Sequence, residues 1–165
     1  MLKQLFEVAG IGRDRIELRW VSAAEGQMFA DFVKELTQRT RELGPFDPAS
    51  FELQLAAVNG ALDSPRLRWL VGIDRQLTQR ENVYHERISE EEFQKMLRSA
   101  VEMEYQQALI IHAMKKHPMT VREIAKKTGL SIHTVSLRLG NLEKSGKVDL
   151  HSYEGTTPRF VGIAA

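Results

Sequence analysis

Residues 118–163 read in order as the end of a buried helix, a capped short helix, a tight turn, a second helix and a two-stranded ribbon. Few folds accommodate that order. Thr120, with Glu123 three residues on, forms a capping box in which each side chain accepts from an orphan backbone N–H at the other's position. Val121, Ile124 and Ala125 supply the inward face of the short helix. Gly129 stands where the chain leaves that helix, and its freedom to take positive φ suits a C′ residue before Leu130 enters the core. Ser131 restarts the chain as an N-cap. Ile132, Val135, Leu139 and Leu142 then recur at helical spacing and define an inward stripe, which leaves His133, Thr134, Ser136, Leu137, Arg138 and Asn141 outward. Gly146 ends this helix. Val148 and Leu150, then Phe160, Val161 and Ile163, give two apolar-rich strands around a tip from Tyr153 to Pro158 that contains Gly155, which predicts a wing.

The run Leu130, Ser131, Ile132, His133, Thr134, Val135, Ser136, continuing through Leu139, Leu142, Glu143 and Gly146 to Val148, resembles the recognition helix of ArsR-like and MarR-like winged-helix proteins. The resemblance covers roughly the last third of the chain. In such modules the second helix of the motif enters the major groove and side chains near its N-terminus reach base edges. Carried onto this sequence, those are His133, Thr134, Ser136 and Arg138, with Asn141 nearer a phosphate. Two positions depart from the pattern. Leu137 places an apolar side chain where a polar one usually stands, and Gly140 costs about 1 kcal/mol of helix propensity. Both departures suit a protein partner about as well as a duplex.

Charge separates the two ends of the chain. From His112 onward there are nine Lys or Arg against four Asp or Glu, a local +5, whereas the first 111 residues hold fourteen against eighteen, a local −4. A basic module on an acidic body has the electrostatic footprint of a nucleic-acid binder, because phosphate neutralisation supplies most sequence-independent affinity. The plainer alternative is that Lys126 and Lys127 are the solvated face of a short helix. The candidate DNA- or partner-binding surface is therefore Lys126, Lys127, His133, Thr134, Ser136, Leu137, Arg138, Asn141 and Arg159, with Arg138 expected to read bases and Lys126 to lie beside the backbone.

Residues 1–46 read as helix, strand, helix. Leu2, Leu5, Phe6 and Ala9 make a short amphipathic helix ending at Gly10 and Gly12. Ile16, Leu18 and Trp20 then alternate with Glu17 and Arg19, the pattern of a half-buried strand. Ser22 and Glu25 form another capping box, followed by Met28, Phe29, Phe32, Val33, Leu36 and Leu43 on one helical stripe until Gly44 and Pro45. The segment from Gly10 to Gly26, with Ile11, Arg13, Asp14, Arg15, Ile16, Glu17, Leu18, Arg19, Trp20, Val21 and Ser22, resembles the C-terminal end of the delta subunit of methyl-viologen-reducing hydrogenase. The likeness covers about a quarter of the chain. It implies kinship with iron–sulfur electron carriers that link a hydrogenase to heterodisulfide reductase-type flavoproteins, and it makes the chain look like the tail of a longer polypeptide of that kind. Their cluster is held by cysteines upstream of the matching segment. This chain has no cysteine, so thiolate-held iron–sulfur chemistry is not open to it. What the resemblance transfers is a docking surface. A lone strand at Ile16–Val21 would also expose an unpaired edge, which predicts a homodimer.

Residues 47–89 read as a helical connector. Asp47 and Pro48 make an N-cap and first-turn pair before Phe51, Leu55, Val58 and Leu62, and Ser64 and Pro65 repeat that signal before Leu67, Leu70, Val71 and Leu77. Ser89 and Glu92 cap the longest helix, whose stripe from Phe93 through Leu97, Val101 and Tyr105 to Met114 serves as core or as a dimerisation face. Residues 90–165 then form the winged-helix domain. The fold class is mainly α with small β (α+β).

No export signal and no long apolar run appears, which points to the cytoplasm and away from a membrane. His85, His112, His117, His133 and His151 lack metal-type spacing, so no metal, cofactor or catalytic residue is expected. Glu90–Glu92 suit a helix N-terminus through its dipole. The sequence supports a non-catalytic interaction module of a hydrogenase or heterodisulfide reductase-like electron-transfer assembly. The alternative is a stand-alone dimeric DNA-binding regulator, which the basic balance favours and Leu137 and Gly140 disfavour.

Overall fold

The computed structural model describes residues 1–163. Seven α-helices and one antiparallel two-stranded sheet make up these residues: α1 Leu2–Val8, α2 Gly26–Leu43, α3 Glu52–Leu62, α4 Pro65–Gln79, α5 Glu90–Ala113, α6 Val121–Thr128, α7 Ile132–Lys144, β1 Val148–Glu154 and β2 Thr157–Gly162. Short 3-10 turns at Arg13–Arg15 and Pro48–Phe51 precede α2 and α3. The mainly α, small-β class is as the sequence indicates.

Capping side chains set most of the helix starts. Ser89 and Glu92 close a full capping box on α5, and Thr120 and Glu123 close one on α6. Ser131 accepts from the N–H of Thr134 to open α7, and Ser64 with Pro65 opens α4. Asp47 caps the 3-10 turn, and α3 begins four residues beyond Pro48. Ser22 and Glu25 make only half of a box: Glu25 accepts from the Ser22 N–H, while α2 itself begins at Gly26.

Helix α5 belongs to two cores. Phe93, Leu97, Ala100, Val101, Tyr105 and Leu109 pack with Leu5 of α1, Ala57, Val58 and Ala61 of α3, and Leu67 and Leu70 of α4. Ile110, followed by Met114, turns into a second core with Ile124, Val135, Leu139, Leu142 and Val148. The long stripe is thus covered by this chain's own helices and is not a free dimerisation face. At Gly60, α3 lies close against α5. A Cβ there would meet His112 Nε2 at 3.1 Å and Ala108 Cβ at 3.3 Å, so a glycine that costs helix propensity lets the two helices approach.

The wing is a hairpin pairing Val148 with Gly162 through Glu154 with Thr157, with an irregularity between Leu150 and Ser152. Met119 and Phe160 exchange backbone hydrogen bonds of 2.9 and 2.8 Å, which stitch the entry to α6 onto the second wing strand.

Two further expectations fail. Residues 16–21 are not a strand: Ile16 is extended (φ −128°, ψ 134°), but the segment pairs with no ladder. Leu18 is 73% exposed and Trp20 87%. The alternation is real, yet its charged members Glu17 and Arg19 are the ones that meet α2. Ile132 likewise stands outside its expected stripe, at 56% exposure, because as the first residue of α7 it projects beyond the packed turn that begins at Val135.

Leu97→Ala should cost about 2–5 kcal/mol, the usual range for emptying a packed leucine site, whereas Leu18→Ala should change stability by less than about 0.5 kcal/mol. Urea denaturation of both variants checks the contrast.

Candidate interaction surfaces

Helices α6 and α7 carry most of the residues that the sequence singles out, and the fold sorts them into free and engaged groups. Lys126 is exposed and has no carboxylate partner among the described residues. Arg122, one turn before it, is exposed and equally unpaired. Four residues apart, they share a face of α6. Lys127 instead donates from Nζ to the Ala113 carbonyl at 2.7 Å, where a cation suits the open C-terminal carbonyls of α5. Arg159 is a staple at the root of the wing. It donates to Glu154 and to the Pro118 carbonyl, and it lies 3.4 Å from the Glu123 carboxylate that caps α6.

Along α7, His133, Ser136 and Leu137 are exposed. Thr134 is half-buried, its Oγ1 2.8 Å from the Ser131 hydroxyl, and Asn141 is half-buried. Arg138 turns toward the body. Its Nε donates to Gln106 Oε1 at 2.8 Å, and Gln106 Nε2 donates to Glu102 Oε1 at 3.0 Å. Gln106 is buried, so the guanidinium satisfies an amide oxygen that water reaches poorly. Sequence reasoning missed Gln106 and Ile132. The signal for the first was an amide at helical spacing from Met103, Leu109 and Ile110, which puts it beside the apolar stripe of α5.

The N-terminal surface is built by a charged clasp. Glu17 accepts from Lys3 Nζ at 3.0 Å and from Arg39 Nη1 at 3.1 Å, and Arg19 Nε donates to its other oxygen at 3.2 Å. Arg19 and Arg39 both reach Glu35 as well, at 3.3 and 2.7 Å, and the Arg19 guanidinium lies 4.8 Å from the Phe32 ring centroid. The hydrogen bond from Lys3, aided by the positive charges of Lys3, Arg19 and Arg39, holds the Glu17 carboxyl below its ordinary range. Arg15 donates to the Leu43 and Gly44 carbonyls at 3.1 and 3.2 Å, which caps the far end of α2.

The clasp runs along the flank of the apolar stripe of α2 and leaves much of that stripe exposed. None of its eighteen residues is buried, and Phe29 is 60% exposed. Phe29, Phe32, Val33 and Leu36 line a shallow cleft of about 170 Å³ beside Val21, with Leu18 and Trp20 also open to solvent.

Both ends of the chain match known proteins. Residues 1–44 match the family described as methyl-viologen-reducing hydrogenase, delta subunit, and residues 104–149 match the winged helix-turn-helix DNA-binding family. The chain joins a delta-subunit-type segment to a winged helix. The delta-subunit match ends with α2, so the exposed apolar surface falls within it. Among curated relatives, the iron–sulfur subunit of the vhu F420-non-reducing hydrogenase of Methanocaldococcus jannaschii is 49% identical over 43 residues, 26% of this chain and 32% of that one. The Methanococcus voltae counterpart is 44% identical over 45 residues, 27% of this chain and 34% of that one. The chain thus spans about a third of the length of the curated relatives it matches. No solved structure matches it at a significant level. The relatives' iron–sulfur description finds no thiolate ligands here, since the chain has no cysteine. Among the described residues no helix is long and apolar enough to cross a membrane.

Two outcomes follow from these networks. Because the Glu17 carboxyl is lowered on folding, its contribution is complete above its unfolded value near 4.5 and is lost as pH falls through the folded value. The stability difference between the native chain and Glu17→Gln should therefore be constant near neutrality and shrink in acid, as read by thermal melts across pH. Arg138→Ala should cost about 1.5–3 kcal/mol, the range for a hydrogen bond to a charged group. A double-mutant cycle with Gln106→Leu should show most of that cost to be shared between the two residues.

Proposed function

We propose that this chain is a non-catalytic, cytoplasmic interaction module of a hydrogenase or heterodisulfide reductase-like electron-transfer assembly. Its N-terminal segment docks on another component of that assembly. Its winged helix contacts a protein partner or double-stranded DNA through exposed Lys126, His133, Ser136 and Leu137, with half-buried Thr134 and Asn141 beside them, while Lys127, Arg138 and Arg159 are engaged within the chain and support that surface. The observation that carries the docking is α2: an eighteen-residue amphipathic helix with no buried residue, whose apolar side stays in water within the segment that matches the delta-subunit family. An exposed apolar face of this kind marks an interaction site. Delta-subunit relatives bear the name of a hydrogenase subunit, and a docking face is a part of such a protein that needs no cysteine.

The same apolar face is the surface on which two copies would pair as a homodimer, now that no strand edge at Ile16–Val21 is there to do so. A stand-alone dimeric DNA-binding regulator is the second reading. The local +5 from His112 onward favours it, as do Arg122 and Lys126, which have no carboxylate partner among the described residues.

Phe29→Asp and Val33→Asp place charges on the open side of α2 without touching either core. In the docking reading the native chain co-purifies with hydrogenase or heterodisulfide reductase-like subunits and both variants lose them, while circular dichroism and melting temperature stay unchanged. Light scattering separates the second reading: a dimer that both variants convert to monomer, with no capture of those subunits, assigns the face to self-association. A native monomer that captures none of them overturns both uses of the face.

A further inference from the structure

We infer that α7 reads duplex DNA by apolar contact with thymine methyl groups, with Ile132 and Leu137 as the reading residues, and not by an arginine fork on guanine. This rests on the winged helix being a DNA-contacting module. Charge complementarity selects that occupant for the exposed face of α7. Arg122 and Lys126 stand one turn apart on neighbouring α6 with no carboxylate partner among the described residues, ready for phosphates, and the chain from His112 onward carries a local +5.

The chemistry of the reading face follows from which side chains the fold leaves free. Arginine bidentate to O6 and N7 of guanine is the commonest specific contact in the major groove. The one arginine of α7, Arg138, is turned away and donates to buried Gln106 at 2.8 Å. Entering the groove would strip a buried amide oxygen of its partner. What faces outward is Ile132, 56% exposed, and Leu137, 51% exposed, with His133 and Ser136 between them on the helical surface. Gly140 lies on the same side with no heavy atom within 4 Å of where its Cβ would be. Small side chains at 136 and 140 keep part of that face low, with His133 the one larger group between the two apolar side chains. The thymine C5 methyl is the apolar feature that the major groove presents, and aliphatic or aromatic carbon is what recognises it. Leu137, anomalous for a polar recognition helix, is then in place for that contact.

The test is selection from a pool of random duplexes at low salt, followed by synthesis of the strongest duplex with deoxyuridine replacing thymidine one position at a time. This removes the methyl and leaves every base-pair hydrogen bond. We expect the selected duplexes to be rich in thymine, and one or two substitutions to weaken binding about fourfold each, the worth of burying one carbon group. That penalty should vanish in Leu137→Ala or Ile132→Ala. Both side chains are exposed, so melting temperatures should match the native chain. Lys126→Gln should bind every duplex more weakly, with a flatter salt dependence, and retain the uracil penalty. Binding with no uracil penalty at any position, or a penalty unchanged in both alanine variants, overturns methyl reading and leaves DNA contact standing. Absence of binding to any duplex at low salt overturns the DNA reading along with it.

Discussion

The fold is organised by one helix that must satisfy two cores. Along α5, Phe93 to Leu109 face the helices of the amino-terminal body, and Ile110 with the following Met114 face α6 and α7. Both groups are almost wholly removed from water, and buried apolar area is the dominant favourable contribution to folding. A helix that is buried over so much of its circumference cannot bend or slide without opening one core or the other. The winged helix is consequently held as a continuation of the body. The contact of Gln106 with Arg138 across α5 and α7, and that of Lys127 with the end of α5, add polar ties at the same junction.

That arrangement leaves α2 outside. It reaches the rest of the chain through charge: Glu17 gathers Lys3, Arg19 and Arg39, and Arg15 holds the last carbonyls of the helix. Exposed ion pairs are individually weak, and a shared carboxylate with a guanidinium over Phe32 is better ordered than isolated pairs, but no residue of α2 is fully buried by it. The polar contacts run along the flank of the apolar stripe, where Arg19 lies over Phe32, and leave Phe29, Val33 and Leu36 exposed beside them. The free stripe coincides with the portion that matches the delta-subunit family.

On the winged helix, the same competition between internal satisfaction and outward display decides which residues remain available. Arg138, Lys127 and Arg159 look like nucleic-acid contacts by residue type, yet each finds an acceptor inside the chain. Residues chosen for their apolar character, such as Ile132, end up at the surface. Position relative to neighbouring helices outweighs residue type.

The sequence by itself determined the helix-turn-helix and wing. Their signals are local: Thr120 with Glu123, Ser131, the left-handed Gly129 (φ 73°), and the spacing of Val135, Leu139 and Leu142 each act over a few residues of chain. It likewise determined the starts of α4 and α5 at Ser64 and Ser89, and the exclusion of thiolate ligands. Tertiary structure alone decided the rest. Alternation at residues 16–21 is compatible with either face turning inward, and only Lys3 on α1 with Glu35 and Arg39 on α2 selected the charged one. A stripe on α2 specifies amphipathicity but not whether this chain or another covers it. The partner of Arg138 lies thirty-two positions away, and no local pattern encodes a contact that exists only once α5 and α7 have packed.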